Sequence, residues 1–235
     1  MSHGQLCGVI FDMDGVLVDS HEVHRKSWRL FLKTLGREVP DSELSFILDG
    51  RKRSDILRHF LGDCSELQME ELGRRKDCIY RKMRLDVSAI PGAVRMVRDL
   101  DGNGVALALA TSASRSRAHS TLVDLGLLGC FRQIVTGEDV LVGKPDGEIY
   151  RLARHRLGIE PENVFAVEDA ISGIRAAVDA GLGCVAIATH QSAEDLTAAG
   201  AIHVVKNFEN ISASDLEGIL SQGKRRHQEV SAGGS

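Results

Sequence analysis

The sequence predicts an α/β protein, a doubly wound parallel sheet with a block of helices inserted after its first strand. Three observations carry that prediction. Short apolar runs recur, "LCGVIF", "VALALA", "RQIVT", "NVFAV", "GCVAIA" and "HVV", each bounded by turn residues and none strictly alternating. Strands buried on both faces of a parallel sheet read this way. Amphipathic helical patterns separate the runs, and strand alternating with helix implies a doubly wound core. The alternation fails once, between Asp19 and about Asp86, where helical stripes follow one another without a convincing strand.

Taken in order, the first run leads into "VIFDMDGVLVDS" and ends in Asp12 and Asp14. The insert follows. Trp28, Phe31, Leu32 and Leu35 keep i, i+3, i+4, i+7 spacing, Ile56, Leu57, Phe60 and Leu61 form a second stripe, and "SELQMEELGRRKDCIYRKM" is a third, more polar helix. This divides the chain into a core, residues 1–18 and 87–235, and a helical cap, residues 19–86. The core resumes at "IPGAVRMVRDL", where Pro91 suits the first turn of a helix. Another helix begins after Pro145, with Ile149, Leu152, Ala153 and Leu157 on one stripe. A further one carries Ile171, Ile174 and Val178, with Gly181 as its C-terminal cap. The ending "GKRRHQEVSAGGS" reads as a polar, solvated tail.

Composition narrows the function classes. The 235 residues are 43% hydrophobic and 26% charged, with a net charge of −4. That suits a packed core and offers no basic surface for nucleic acid. No apolar run approaches the ~20 residues of a membrane helix, and "MSHGQ" lacks the regions of a signal peptide. The five cysteines, Cys7, Cys64, Cys78, Cys130 and Cys184, are scattered without a CxxC. They read as reduced thiols that mostly fill core. The expectation is a cytoplasmic monomer with a small-molecule substrate and neither nucleic-acid nor membrane partners.

In an open α/β sheet the ligand lies beyond the carboxyl ends of the strands. Asp12 and Asp14, two residues apart on extended chain, can face one site. Thr111 and Ser112 end "VALALA" before a helix, where a hydroxyl and backbone N–H groups make an anion seat. Lys144 stands in "GKPDGEIY" just before a helix, and Glu168 and Asp169 end "NVFAV". Four crowded carboxylates call for a cation. All-oxygen ligation beside an anionic substrate favours Mg²⁺. A phosphate monoester supplies the anion. One aspartate can attack phosphorus while its neighbour serves as acid and base.

Four motifs in this order, "DMDGVLVDS", Thr111 in "LATSAS", Lys144 in "GKP" and "VEDAISGIRAA", resemble those of the haloacid dehalogenase superfamily. The resemblance runs from Leu6 to about Phe208. It implies Asp12 as nucleophile, Asp14 as acid/base, and Mg²⁺ held by Asp12, the Asp14 carbonyl and Asp169, with Glu168 close by. The superfamily's dehalogenases lack an acid/base aspartate at the position of Asp14, so halide chemistry is not expected. "DSHEVHRKSW" resembles the first cap helix of the β-phosphoglucomutase-like group, which implies that His24 serves the site and that Arg53 and Lys76 contact substrate from the cap. The mutase itself usually has a lysine where Arg115 stands. Arg51, Lys52, Arg74, Arg75 and Arg117 read as solvated charges. The expected function is therefore a Mg²⁺-dependent phosphatase of small phosphorylated sugars or related metabolites. A β-phosphoglucomutase is the alternative. A non-catalytic binding protein is disfavoured by the intact motifs.

Overall fold

The computed structural model describes residues 8–219. Cys7 and the tail from residue 223 onward lie outside the described residues. The core strands are β1 (Gly8–Phe11), β4 (Ala106–Thr111), β5 (Gln133–Thr136), β6 (Val164–Glu168), β7 (Gly183–Ile187) and β8 (His203–Val205). They form one parallel sheet in the order β5-β4-β1-β6-β7-β8. Helices α5 (Ala93–Gly102), α6 (Arg115–Asp124), α7 (Glu148–Leu157), α8 (Ile171–Asp179) and α9 (Ala193–Ala198) connect them.

The absence of strict alternation has its expected cause. Val9, Phe11, Leu107 and Leu109 face one apolar cluster with Met96 and Leu122, while Ile10, Ala108, Ala110 and Ala166 face another with Ile149, Tyr150 and Ile174. Every residue of β1, β4 and β6 is buried. The chain leaves β1 for β4 on one side and returns to β6 on the other, which opens a crevice above the carboxyl end of β1.

Between β1 and α5 lie α1 (His21–Thr34), α2 (Asp41–Leu48), α3 (Arg53–Leu61) and α4 (Glu66–Met83). Four helices occur where three stripes were read. The stripes bury Trp28, Phe31, Leu32, Ile56, Leu57 and Phe60, with Leu44 of the unread α2, in a third cluster of their own. Two short strands that the sequence did not reveal, β2 (Val18–Asp19) and β3 (Ser88–Ala89), pair antiparallel at the root of this insert. Two-residue strands carry no periodicity to read. Pro91 stands before the N-cap Gly92 rather than in the first turn of α5. The described cysteines are unpaired, and only Cys184 is buried, Cys78 being exposed. No helix among the described residues is long and apolar enough to cross a membrane.

Phe31 is wholly buried and lies 5.7 Å, ring centre to ring centre, from Trp28. Phe31→Ala is expected to lower unfolding stability by about 3–5 kcal/mol, the range for deleting a buried aromatic side chain. Urea unfolding followed by circular dichroism and by the fluorescence of the single tryptophan tests this. A loss below about 1 kcal/mol would contradict the packing described.

Candidate active site

The β1 register, Phe11 opposite both Leu109 and Val167, brings Asp12, Thr111 and Glu168 to one edge of the sheet. The Asp12 N–H continues the ladder by donating to the Val167 carbonyl at 2.9 Å. Lys144 reaches this edge from the loop before α7. Its Nζ donates to Asp12 Oδ1 at 2.8 Å and to Glu168 Oε1 at 2.5 Å, and the side chain is 2% exposed. Glu168 spends both oxygens. Oε1 also accepts from the Tyr150 hydroxyl at 2.6 Å, and Oε2 accepts the N–H groups of Asp169 and Ala170 at 3.0 and 3.3 Å. Gly173 makes room for this carboxylate, since a Cβ there would lie 2.0 Å from Oε1. Glycine is required equally at Gly15 (φ +76°), where a Cβ would fall 1.9 Å from Asp169 Oδ2 and 2.7 Å from His21 Cε1.

Oxygens of Asp12, Glu168 and Asp169, all three buried, lie within 4.8 Å of one another. Burial pushes the Asp12 carboxyl up to about 7, with Lys144 opposing and Glu168 and Asp14 reinforcing. Burial and the charges of Glu168 and Asp12 likewise raise Asp169 well above the ordinary carboxylate range. Buried, crowded, hard oxygen donors with one lysine among them suit a small divalent cation. With Glu168 fully engaged, Asp12 and Asp169 are the carboxylates with capacity left for it.

Asp14 belongs to a different network. Arg117 grips it with both terminal nitrogens, Nη1 to Oδ1 and Nη2 to Oδ2, each at 2.7 Å. The Ser20 hydroxyl donates to Oδ1 at 2.5 Å, and His24 Nε2 lies 3.3 Å from the same oxygen. Burial would raise the Asp14 carboxyl, but Arg117 and His24 outweigh it and hold it well below its usual value. Lys76 Nζ stands 3.3 Å from His24 Nδ1. A His24 protonated on Nε2 satisfies both contacts, donating to Asp14 and accepting from Lys76. Burial, then the charge of Arg117, lowers Lys76 to about 7, while Asp77 and Asp14 oppose.

Arg117 was expected to be solvated and is instead largely covered, its side chain 12% exposed, paired with Asp14 and with its guanidinium 5.1 Å from the Tyr80 ring centre. A signal was present: Arg115 and Arg117 both fall in the first turn of a helix, where the dipole disfavours cations unless an anion holds them. Arg115, on the motif position that suggested a role, points outward and pairs with Asp139 at 2.8 Å. Arg51 and Lys52 also depart from the solvated reading. Arg51 lies over the Phe46 ring and borders the cavity. Lys52 Nζ donates to the carbonyls of Val140 and Leu141 at 2.6 and 3.2 Å.

The cavity, about 70 Å³, is bordered by Asp12, Asp14, Thr111, His24, Arg53 and Lys76 among others. Arg53 donates to Asp77, which also accepts from Ser114. Ser112 lines the cavity but its hydroxyl is committed to the Gly50 carbonyl at 2.5 Å. With Lys52 on the β5–α7 loop and the Ser172 N–H donating to Asp49 Oδ1 at 3.1 Å, the 49–52 loop is latched to the core at three places.

A haloacid dehalogenase-like hydrolase profile matches residues 9–187. Validoxylamine A 7'-phosphate phosphatase of Streptomyces hygroscopicus subsp. limoneus is 31% identical over 191 residues, 81% of this chain and 89% of that protein. Hexitol phosphatase A of Escherichia coli K12 is 32% identical over 182 residues, 77% and 82% of the two chains. The crystal structure of β-phosphoglucomutase from Clostridium difficile shares the fold, with a TM-score of 0.82, 23% identity, and 92% of this chain and 98% of that one covered. The chain belongs to the haloacid dehalogenase-like hydrolase family and is an enzyme of its hydrolase and phosphotransferase class. Within that family it falls in the β-phosphoglucomutase-like group.

Arg117→Ala would leave Asp14 half-desolvated without its main cation. At neutral pH the variant is expected to lose about 2 kcal/mol of stability, below the range for removing one partner of a fully buried pair because this pair is partly exposed. Asp14 has a depressed folded pKa, so its contribution is present above the unfolded value of about 3.9 and fades as pH falls below it. The deficit should therefore narrow in acid. Urea titrations of both proteins at a series of pH values check this, and a pH-independent deficit would contradict it.

Proposed function

We propose that this enzyme hydrolyses small phosphorylated sugars or related polyhydroxylated phosphate monoesters through a phosphoryl intermediate on Asp12. The observation that carries the reading is the buried Asp12–Lys144–Glu168 bridge beside Asp14 and Asp169. Lys144 fixes Asp12 Oδ1 and leaves Oδ2 to attack phosphorus. The leaving oxygen takes a proton from Asp14, and Asp14 then takes one from the water that cleaves the aspartyl phosphate. As long as Arg117 grips it, Asp14 is a base. To carry a proton it must part from Arg117, so substrate entry and release of that contact go together. Thr111 is placed to receive a phosphoryl oxygen. Arg53 and Lys76, clustered with Arg117, present positive charge to an anionic substrate, and neutral His24 links Asp14 to Lys76. Asp12 and Asp169, with the Asp14 carbonyl, would hold Mg²⁺, and Glu168 would support them by fixing Lys144. When bound, Mg²⁺ supplies charge neutralisation for the transferring group.

The substrate class rests on the two relatives named as a validoxylamine A 7'-phosphate phosphatase and a hexitol phosphatase. A mutase would need a second phosphate seat. Arg115, which could have gripped that phosphate from the core, points away and pairs with Asp139. This favours hydrolysis, because water at ~55 M is suppressed only by a well-oriented bound acceptor with effective molarity of ~10⁵–10⁸ M.

Two measurements test the proposal. Asp12→Asn should abolish turnover of a phosphate-ester panel without loss of fold, and wild-type activity should vanish in EDTA and return with Mg²⁺ but poorly with Ca²⁺, whose longer contacts suit the site less. Retained turnover in the variant would exclude covalent catalysis at Asp12. Coupled assays on one preparation separate the two reactions: phosphate release from several sugar phosphates is expected, with little conversion of β-glucose 1-phosphate to glucose 6-phosphate. Isomerisation faster than phosphate release would make the enzyme a mutase.

A further inference from the structure

At the root of the cap, adjoining the Asp12–Asp169 cluster through His21, three residues converge that nothing in the motifs singles out. Asp19 comes from β2, His21 opens α1, and His190 follows β7 on the core side. One donor atom from each lies within 4.8 Å of the others. Asp19 Oδ1 and His190 Nε2 are 3.2 Å apart. The imidazoles of His21 and His190 meet edge to face with centroids 3.9 Å apart. The Thr189 hydroxyl donates to the Gly15 carbonyl at 2.6 Å, which ties the loop bearing His190 to the turn beside His21.

A separate observation concerns the hydrogen bonding of His21. His21 is 6% exposed, and its Nε2 lies 3.3 Å from Asp169 Oδ2. If Nε2–H is donated there, the lone pair is on Nδ1. That atom is buried and has no hydrogen-bond partner. A histidine whose one nitrogen is held by a carboxylate, with the other left as a bare acceptor, is oriented as metal-bound histidines are. A Cβ at Gly15 would break this Asp169–His21 contact, so the chain makes room for it.

We propose that Asp19, His21 and His190 form a second metal site, for a borderline divalent cation of the Zn²⁺ class. Two imidazoles and one carboxylate suit such an ion, whereas the all-oxygen cluster at Asp12 and Asp169 suits Mg²⁺. Ligands at ~2.0–2.2 Å around a tetrahedral ion stand about 3.4 Å apart, with a fourth position for water. The Asp19–His190 spacing already matches, and exposed His190 can adjust toward His21. A bound ion would join the cap root, through Asp19 and His21, to the core loop that carries His190. Through His21 it would also touch Asp169.

The test does not depend on which phosphate ester is turned over. The full chain, in saturating Mg²⁺, is titrated with Co²⁺ followed by visible absorption and with Zn²⁺ followed by calorimetry, beside His190→Ala and Asp19→Asn. The wild type should take up one ion that Mg²⁺ does not displace. Each substitution should weaken that binding at least about tenfold, while turnover in Mg²⁺ alone stays unchanged. Equal Co²⁺ and Zn²⁺ binding by wild type and His190→Ala, or no uptake by the wild type in the presence of Mg²⁺, would overturn the site.

Discussion

The buried bridge from Lys144 to Asp12 and Glu168 is the constraint on which the rest of the site depends. A lysine 2% exposed keeps its charge only because two carboxylates meet it. Those carboxylates come from neighbouring strands, so the bridge exists only when β1 and β6 are paired in register. Tyr150 from α7 and the first N–H groups before α8 complete the shell around Glu168. Three separate chain segments, the ends of β1 and β6 and helix α7, therefore converge around one ammonium group. The orientation of Asp12 follows from that convergence rather than from its own loop.

Charge is divided between two networks that do not share a cation. Lys144 serves Asp12 and Glu168, while Arg117, with His24 and Ser20, serves Asp14. The two aspartates stand two residues apart, yet burial drives one carboxyl upward and Arg117 drives the other downward. Separated proton affinities are what two carboxylates need for two roles. The division also ties core to cap, because the Asp14 network continues through His24 to Lys76 on α4.

The cap is held by polar points rather than by a continuous apolar face. Its apolar side chains turn inward to their own cluster. Besides His24 on Asp14 and Asp77 on Ser114, contact with the core runs through Gly50, Asp49 and Lys52, hydrogen-bonded to Ser112, Ser172 and the Val140–Leu141 carbonyls. Such contacts exchange for water at modest net cost, whereas a shared apolar interface would not. The loop that borders the cavity is thus also the loop that latches it.

The core fold and the strand-end residues were legible in the sequence because both follow local rules. Runs buried on two faces announce parallel strands, and ligands of such sheets sit where those strands end. Asp12, Thr111, Lys144, Glu168 and Asp169 are each one step past an apolar run or just before a helix, so position along the chain sufficed to group them. The cap residues were placed by motif resemblance, and their partners, Asp77 for Arg53 and His24 for Lys76, lie 24 and 52 residues away in sequence. Arg117 was misread because a helical arginine and a buried one look alike until the helix is docked, and the burial that sets its role is a property of α4 and α6 packed together. The same holds for His21, His190 and Asp19: the first and last lie two residues apart, but His190 arrives from beyond β7, and only the assembled sheet brings it there. The sequence by itself determined the order of the strands' chemistry, since that is written in runs and their ends. Tertiary structure alone decided which charge faces which, because pairing between distant segments depends on how the helices pack and leaves no periodic trace.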